Sequence, residues 1–167
     1  MRTRAEHWAL PLAFLGVIAG CATQVPGPKP AAVDTAAMTA SLDSLNKAFI
    51  AAVAARDTNA VAAMYSDDAH VLPANMPRAD GRDAIRAMWA GMLKTPGLVL
   101  NLTASQPMFT EAGDMIIDIG GYAMKMTDKK GKPMEDIGKY VTIFKKVDGS
   151  WKIVVDTFNS DKAAPGM

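Results

Sequence analysis

An acid closes an apolar run in GKYVTIFKKVDGSWKIVVDTFNSD, Gly138 to Asp161. Asp156 follows Ile153, Val154 and Val155, where an apolar residue is expected if that strand face is covered. A carboxyl there has two uses. It can lock the last strand by accepting hydrogen bonds from Tyr65, Tyr140 or a backbone N–H. Alternatively, it can stand unpaired in a pocket, where burial disfavours its charged form and brings it near neutrality, able to take or give a proton. The other ionisable residues say less. His70 is the only histidine beyond the N-terminal segment. One imidazole without clustered carboxylates or thiols makes no metal site, so His70 is expected at the surface or in a structural hydrogen bond. Asp67-Asp68 reads as a helix-end turn, not as a catalytic pair. No spacing calls for a metal or a cofactor.

The elements that must position these residues follow from periodicity. Leu42, Leu45, Phe49, Ile50 and Val53 recur at helical spacing, so a helix is expected from about Thr39 to Ala55, capped by Thr39 or Ser41. NAVAAMY predicts a second, short helix carrying Val61, Met64 and Tyr65 on one side. A short strand around Ala69–Leu72 and a Pro-rich loop come next. DGRDAIRAMWAGMLKTPG predicts a third helix, with Asp83 in its first turn and Pro96-Gly97 at its end. The period then falls to two. LVLNLTASQPMFTEAG is a strand bent near Pro107, and three more strands run to Ser160 through the turns TDKKGKP and VDGS, the latter a strong hairpin signal. Gly120-Gly121 suggests a bulge. Trp151, after the hairpin, is expected to cap the apolar layer. The whole reads as α+β, three N-terminal helices on one face of a curved antiparallel sheet.

The N-terminus reads as an address. Arg2 and Arg4 precede an apolar run, Ala9–Ala19, of 11 residues. A bilayer span needs about 20, so this is a signal-peptide core. Ile18-Ala19-Gly20-Cys21 resembles a bacterial lipobox, with residues 1–20 removed and Cys21 as the lipid attachment site. Cys21 is the chain's one cysteine, so no internal disulfide forms. Diacylglycerol on the thiol plus an amide-linked chain would supply the two or more apolar chains that stable anchoring needs. No Asp follows the cysteine, which favours the outer membrane, with the domain facing the periplasm. Residues 21–38, with three prolines and a glycine in Ala22–Thr35, form a tether. A domain at 39–161 and a tail at 162–167 complete the chain. Without residues 1–20, Lys+Arg falls from 18 to 16 and Asp+Glu from 17 to 16. Formal neutrality leaves no electrostatic footprint for nucleic acid. KKGK, Lys129–Lys132, is a solvated hairpin tip.

Three phrases, in order, carry a family resemblance. DTNAVAAMYSDDAHVLP, DGRDAIRAMW and GKYVTIFKKVDGSWKIVVDTFNSD together resemble the DUF4440 / SnoaL-like branch of the NTF2-like superfamily over roughly residues 41 to 160. The resemblance implies a cystatin-like cone, in which a curled sheet wraps a long helix and leaves a pocket open at one end. It also implies homodimers in many members, and does not imply activity. Ketosteroid isomerase is the sharpest enzymatic relative, a worked case of an Asp base with a Tyr and a protonated Asp as oxyanion hole. Aligned on MYSDDA, its oxyanion tyrosine falls on Phe49, its base on Pro73 and its protonated acid on Thr142 or Ile143. None of these can polarise a carbonyl or take a proton as required, so that mechanism is not expected.

The same register turns Tyr65, Trp89 and Asp156 towards the pocket. Alternation adds Tyr140 beside Thr142, and Phe158 beside Asp156. Met88, Met92 and Met124 would complete an apolar wall, with Phe49. Mostly apolar and aromatic with a few polar groups, this is the pattern of a site for a small apolar or amphipathic molecule. Three readings stand side by side: a lipid-anchored binding protein, a SnoaL-like enzyme using Asp156 for proton transfer, and a dimeric scaffold.

Overall fold

The computed structural model describes residues 32–128 and 130–163. The segment read as a signal peptide, Cys21 with most of the tether, Lys129 at the hairpin tip and the end of the tail lie outside the described residues. Among the described residues, no helix is long and apolar enough to cross a membrane.

Asp34 starts the first helix. Its carboxylate accepts from the Ala37 N–H at 2.9 Å, and helix α1 runs Thr35–Ala54. Thr39 and Ser41, expected as caps, instead donate their hydroxyls to the carbonyls of Thr35 and Ala37 inside the helix. Asp34, five residues before Thr39 and seven before Ser41, takes the cap position first and accepts from a free N–H there. One face of α1 buries Met38, Leu42, Phe49 and Val53. Arg56, in the left-handed region at φ 58°, turns the chain. Asp57 then caps α2, Thr58–Ala63.

Tyr65 is not in this second helix. It opens strand β1, Tyr65–Pro73, which is longer than its sequence signal. Asp67 and Asp68 are therefore exposed strand residues, not a helix-end turn. Asp67 pairs with Arg82 and Asp68 accepts from Ser66. The Pro-rich loop leads to β2, Ala79–Asp80, and then to α3, Arg82–Met92, with Asp83 in its first turn and Ile85 and Trp89 buried one turn apart. Four strands follow: β3 (Val99–Phe109), β4 (Met115–Thr127), β5 (Pro133–Val147) and β6 (Ser150–Ser160). Asp148 and Gly149, at φ 49° and 78°, make the two-residue turn between β5 and β6.

The sheet order is β2-β1-β6-β5-β4-β3. It is mixed, not wholly antiparallel, because β6 returns alongside β1 in parallel register, with Val71 opposite Asp156. No hairpin joins these two strands, so no turn forces their directions to oppose. The bulge expected at Gly120-Gly121 lies on the facing strand instead, between Thr103 and Gln106, where Ala104 has φ 51°. The glycines serve another purpose: a Cβ on Gly120 would lie 2.5 Å from the Tyr140 hydroxyl oxygen. A second shift, between Ile153 and Val155 of β6, adds to the bend. The helices pack on the concave face and the core lies between. Trp151 is half-buried against that core, with the Lys146 ammonium 5.1 Å from its ring centre.

Candidate functional site

The core stops short of filling the fold. Between α1, α3 and the inner faces of β3 to β6 lies a cavity lined by apolar and aromatic side chains. It offers about 60 Å³ to the centres of water-sized spheres, against the 10–15 Å³ or so that one water needs. Phe49, Trp89, Met92, Tyr140, Asp156 and Phe158, all singled out in the sequence, are brought together there, along with Met124. Phe49 meets Trp89 edge to face at 5.4 Å. Met88 packs against the core and does not line the cavity, and Tyr65 does not line it either.

Tyr65 stands behind the wall. Fully buried on β1, it donates to Asp156 Oδ2 at 2.8 Å and accepts from Trp89 Nε1 at 3.2 Å. Thr142 donates to Asp156 Oδ1 at 3.2 Å. Asp156 is thus held from β1 and from β5, and Tyr140 is not its partner. Burial pushes the Asp156 carboxyl up to about 6, against the lowering effect of the Tyr65 and Thr142 hydroxyls. Burial, reinforced by the neighbouring carboxylate, pushes the Tyr65 phenol well above its ordinary value, so it stays a donor.

Tyr140 instead serves a second acid that sequence reasoning missed. Asp118, fully buried on β4, accepts from Tyr140 Oη at 2.9 Å, Asn46 Nδ2 at 3.1 Å and Ser105 Oγ at 2.6 Å. Its signal was available: in MIIDIG an acid follows an apolar run, as in IVVD. Asp118, Thr142 and Asp156 are consecutive partners across β4, β5 and β6, so one row of the concave face is polar. Gly120 clears the space over which the Tyr140 ring reaches Asp118. Near the strand ends Tyr122 donates to Asp136 at 2.8 Å. Each of the chain's three tyrosines therefore donates to a carboxylate.

The ketosteroid isomerase positions can now be placed. Phe49 and Thr142 line the cavity, while Ile143 alternates to the outer side and Pro73 ends β1. His70 is exposed, its Nδ1 2.6 Å from Asp80. Among the described residues no group of three or more His, Cys, Asp or Glu could hold a metal ion.

Residues 46–154 match the family described as SnoaL-like domain. No match was found among curated proteins. Among solved structures, the chain is similar to an NTF2-like protein with a cystatin-like fold from Novosphingobium aromaticivorans (13% identity, 78% of this chain and 86% of that one, TM-score 0.66). It is also similar to the hexachlorocyclohexane dehydrochlorinase LinA-type3 from Novosphingobium barchaimii (17%, 80% and 94%, TM-score 0.68). A third likeness is to a putative calcium/calmodulin dependent protein kinase II association domain from Xanthomonas campestris (23%, 83% and 93%, TM-score 0.64). At these identities the likeness is one of fold.

Proposed function

Because the chain belongs to the SnoaL-like domain family, on an NTF2-like, cystatin-like fold, we propose that it binds a small apolar or amphipathic molecule in its cavity. The observation that carries this reading is a cavity of about 60 Å³ walled mainly by aromatic, aliphatic and methionine side chains, with the Asp156 carboxyl in its lining. A space of that kind takes an apolar guest because burial removes hydrocarbon from water while the few polar groups orient it. The Phe49, Pro73 and Thr142 positions supply none of the ketosteroid isomerase groups, which favours holding over that turnover.

In this reading the chain is a DUF4440-type lipoprotein. Cys21 carries the acyl chains, and the domain faces the periplasm from the outer membrane. Two copies pair through the outer side of the sheet, where Met108, Ile119 and Ile137 are 55%, 42% and 55% exposed. Native mass spectrometry of the full chain, extracted from bacterial envelopes in mild detergent, tests the binding reading. A small molecule retained in the gas phase is expected. A bare protein, even after incubation with envelope extracts, overturns it.

A second reading has its own observation. Asp156, with its carboxyl pushed up to about 6 and one face on the cavity, suits proton transfer within a SnoaL-like enzyme, a class whose fold also serves the Novosphingobium barchaimii dehydrochlorinase.

A further inference from the structure

The charge in the cavity is of one sign. Among the described residues Asp156 is the single carboxyl in the lining, and no Lys, Arg or His joins it. The two hydroxyls that hold it, Tyr65 and Thr142, each take one oxygen. A carboxylate has roughly four acceptor sites, so about half its capacity is unspent. The ionisable groups around it are Tyr65 on β1, Tyr140 on β5 and Tyr122 on β4, with Asp118 behind Tyr140. Helices α1 and α3 give the lining Asn46, Phe49, Trp89 and Met92, and no charge. An anionic guest would therefore meet an acid in a largely apolar wall, without a counter-charge among the described residues. A cation would meet the reverse: a carboxylate without an ion-pair partner among the described residues, in a cavity whose wall also carries the π-systems of Phe49, Trp89, Tyr140 and Phe158. Aromatic rings attract ammonium groups through their negative faces, and the attraction grows when water is excluded.

We propose that the guest is a small amphipathic amine, whose protonated nitrogen pairs with Asp156 while its hydrocarbon part packs against the apolar lining, Met92 and Met124 included. This rests on the reading of the cavity as a binding site, and it adds the class of head group.

The test is calorimetric titration of the full chain with benzylamine, benzyl alcohol, benzoate and toluene between pH 5 and pH 8. A charge-assisted hydrogen bond in such a site is worth about tenfold to a hundredfold in affinity. Benzylamine is therefore expected to bind at least tenfold more tightly than benzyl alcohol at pH 8, with benzoate weakest. The advantage shrinks towards pH 5 as Asp156 takes up a proton, while toluene binding stays flat. Asp156→Asn removes the advantage and its pH dependence but leaves toluene binding in place, which also certifies the cavity of the variant. If toluene binds and benzylamine gains nothing over benzyl alcohol on the native chain, the head-group proposal is overturned and the cavity reading survives. If none of the four binds, both fall.

Discussion

Asp156→Asn separates the cost of burying a charge from the value of the hydrogen bonds around it. Burial moves this carboxyl from 3.8 to about 6, despite two hydroxyl donors. A carboxyl whose pKa is raised on folding stabilises the fold fully below the unfolded value, and that contribution is lost as pH climbs from about 4 to about 6. At about 1.36 kcal/mol per unit, the raised pKa costs the fold about 3 kcal/mol at pH 8 and about 1 kcal/mol at pH 4.5. Asparagine keeps the shape and removes the charge, but it offers one carbonyl oxygen to two hydroxyls and so gives up about 1 kcal/mol. The variant is therefore expected to match the native chain at pH 4.5 and to exceed it by about 2 kcal/mol at pH 8. Urea unfolding of both proteins at the two pH values measures this. The difference between the two proteins at each pH isolates the contribution of position 156. An equal difference at the two pH values, or a loss of stability at pH 8, would refute the claim that Asp156 is strained by burial.

Other outcomes follow from single contacts. Gly120→Ala places a methyl 2.5 Å from the Tyr140 hydroxyl oxygen. It is expected to cost about 1–3 kcal/mol in thermal unfolding through overpacking and to break the Tyr140–Asp118 hydrogen bond in a crystal structure of the variant. Asp34→Ala removes the acceptor for the Ala37 N–H and is expected to lower stability by about 1 kcal/mol in the same assay. Cys21→Ser is expected to abolish incorporation of labelled palmitate in growing bacteria, and labelling that persists would rule out this cysteine as the acylation site.

The helices and the meander were legible because their signals are local. Leu42, Phe49 and Val53 mark one helix face, Asp148-Gly149 marks a turn, and β5 alternates cleanly through Tyr140, Thr142 and Phe144. The family resemblance drew the site residues together at a level that periodicity alone does not reach. What escaped was non-local. Tyr65 looked helical beside Val61 and Met64, but its hydroxyl meets Asp156, ninety-one positions away, and that contact belongs to a strand. The parallel pairing of β1 with β6 leaves no periodic trace, since a strand alternates in the same way whichever direction its neighbour runs. Asp118 was passed over although it follows Ile116 and Ile117 much as Asp156 follows its valines. Its partners Asn46 and Ser105 lie on other elements and cannot be assigned from spacing. The Thr39 and Ser41 hydroxyls illustrate a competition between equals, settled by which residue stood where the helix could begin.

The hollow between α1 and the bent sheet is most directly tested by a crystal of this protein held under xenon pressure. Cavities walled mainly by apolar side chains take up xenon. A xenon peak among Phe49, Met92, Met124 and Phe158 is expected. A map with those side chains closed against one another and no xenon between them would contradict the claim that the fold encloses room for a guest.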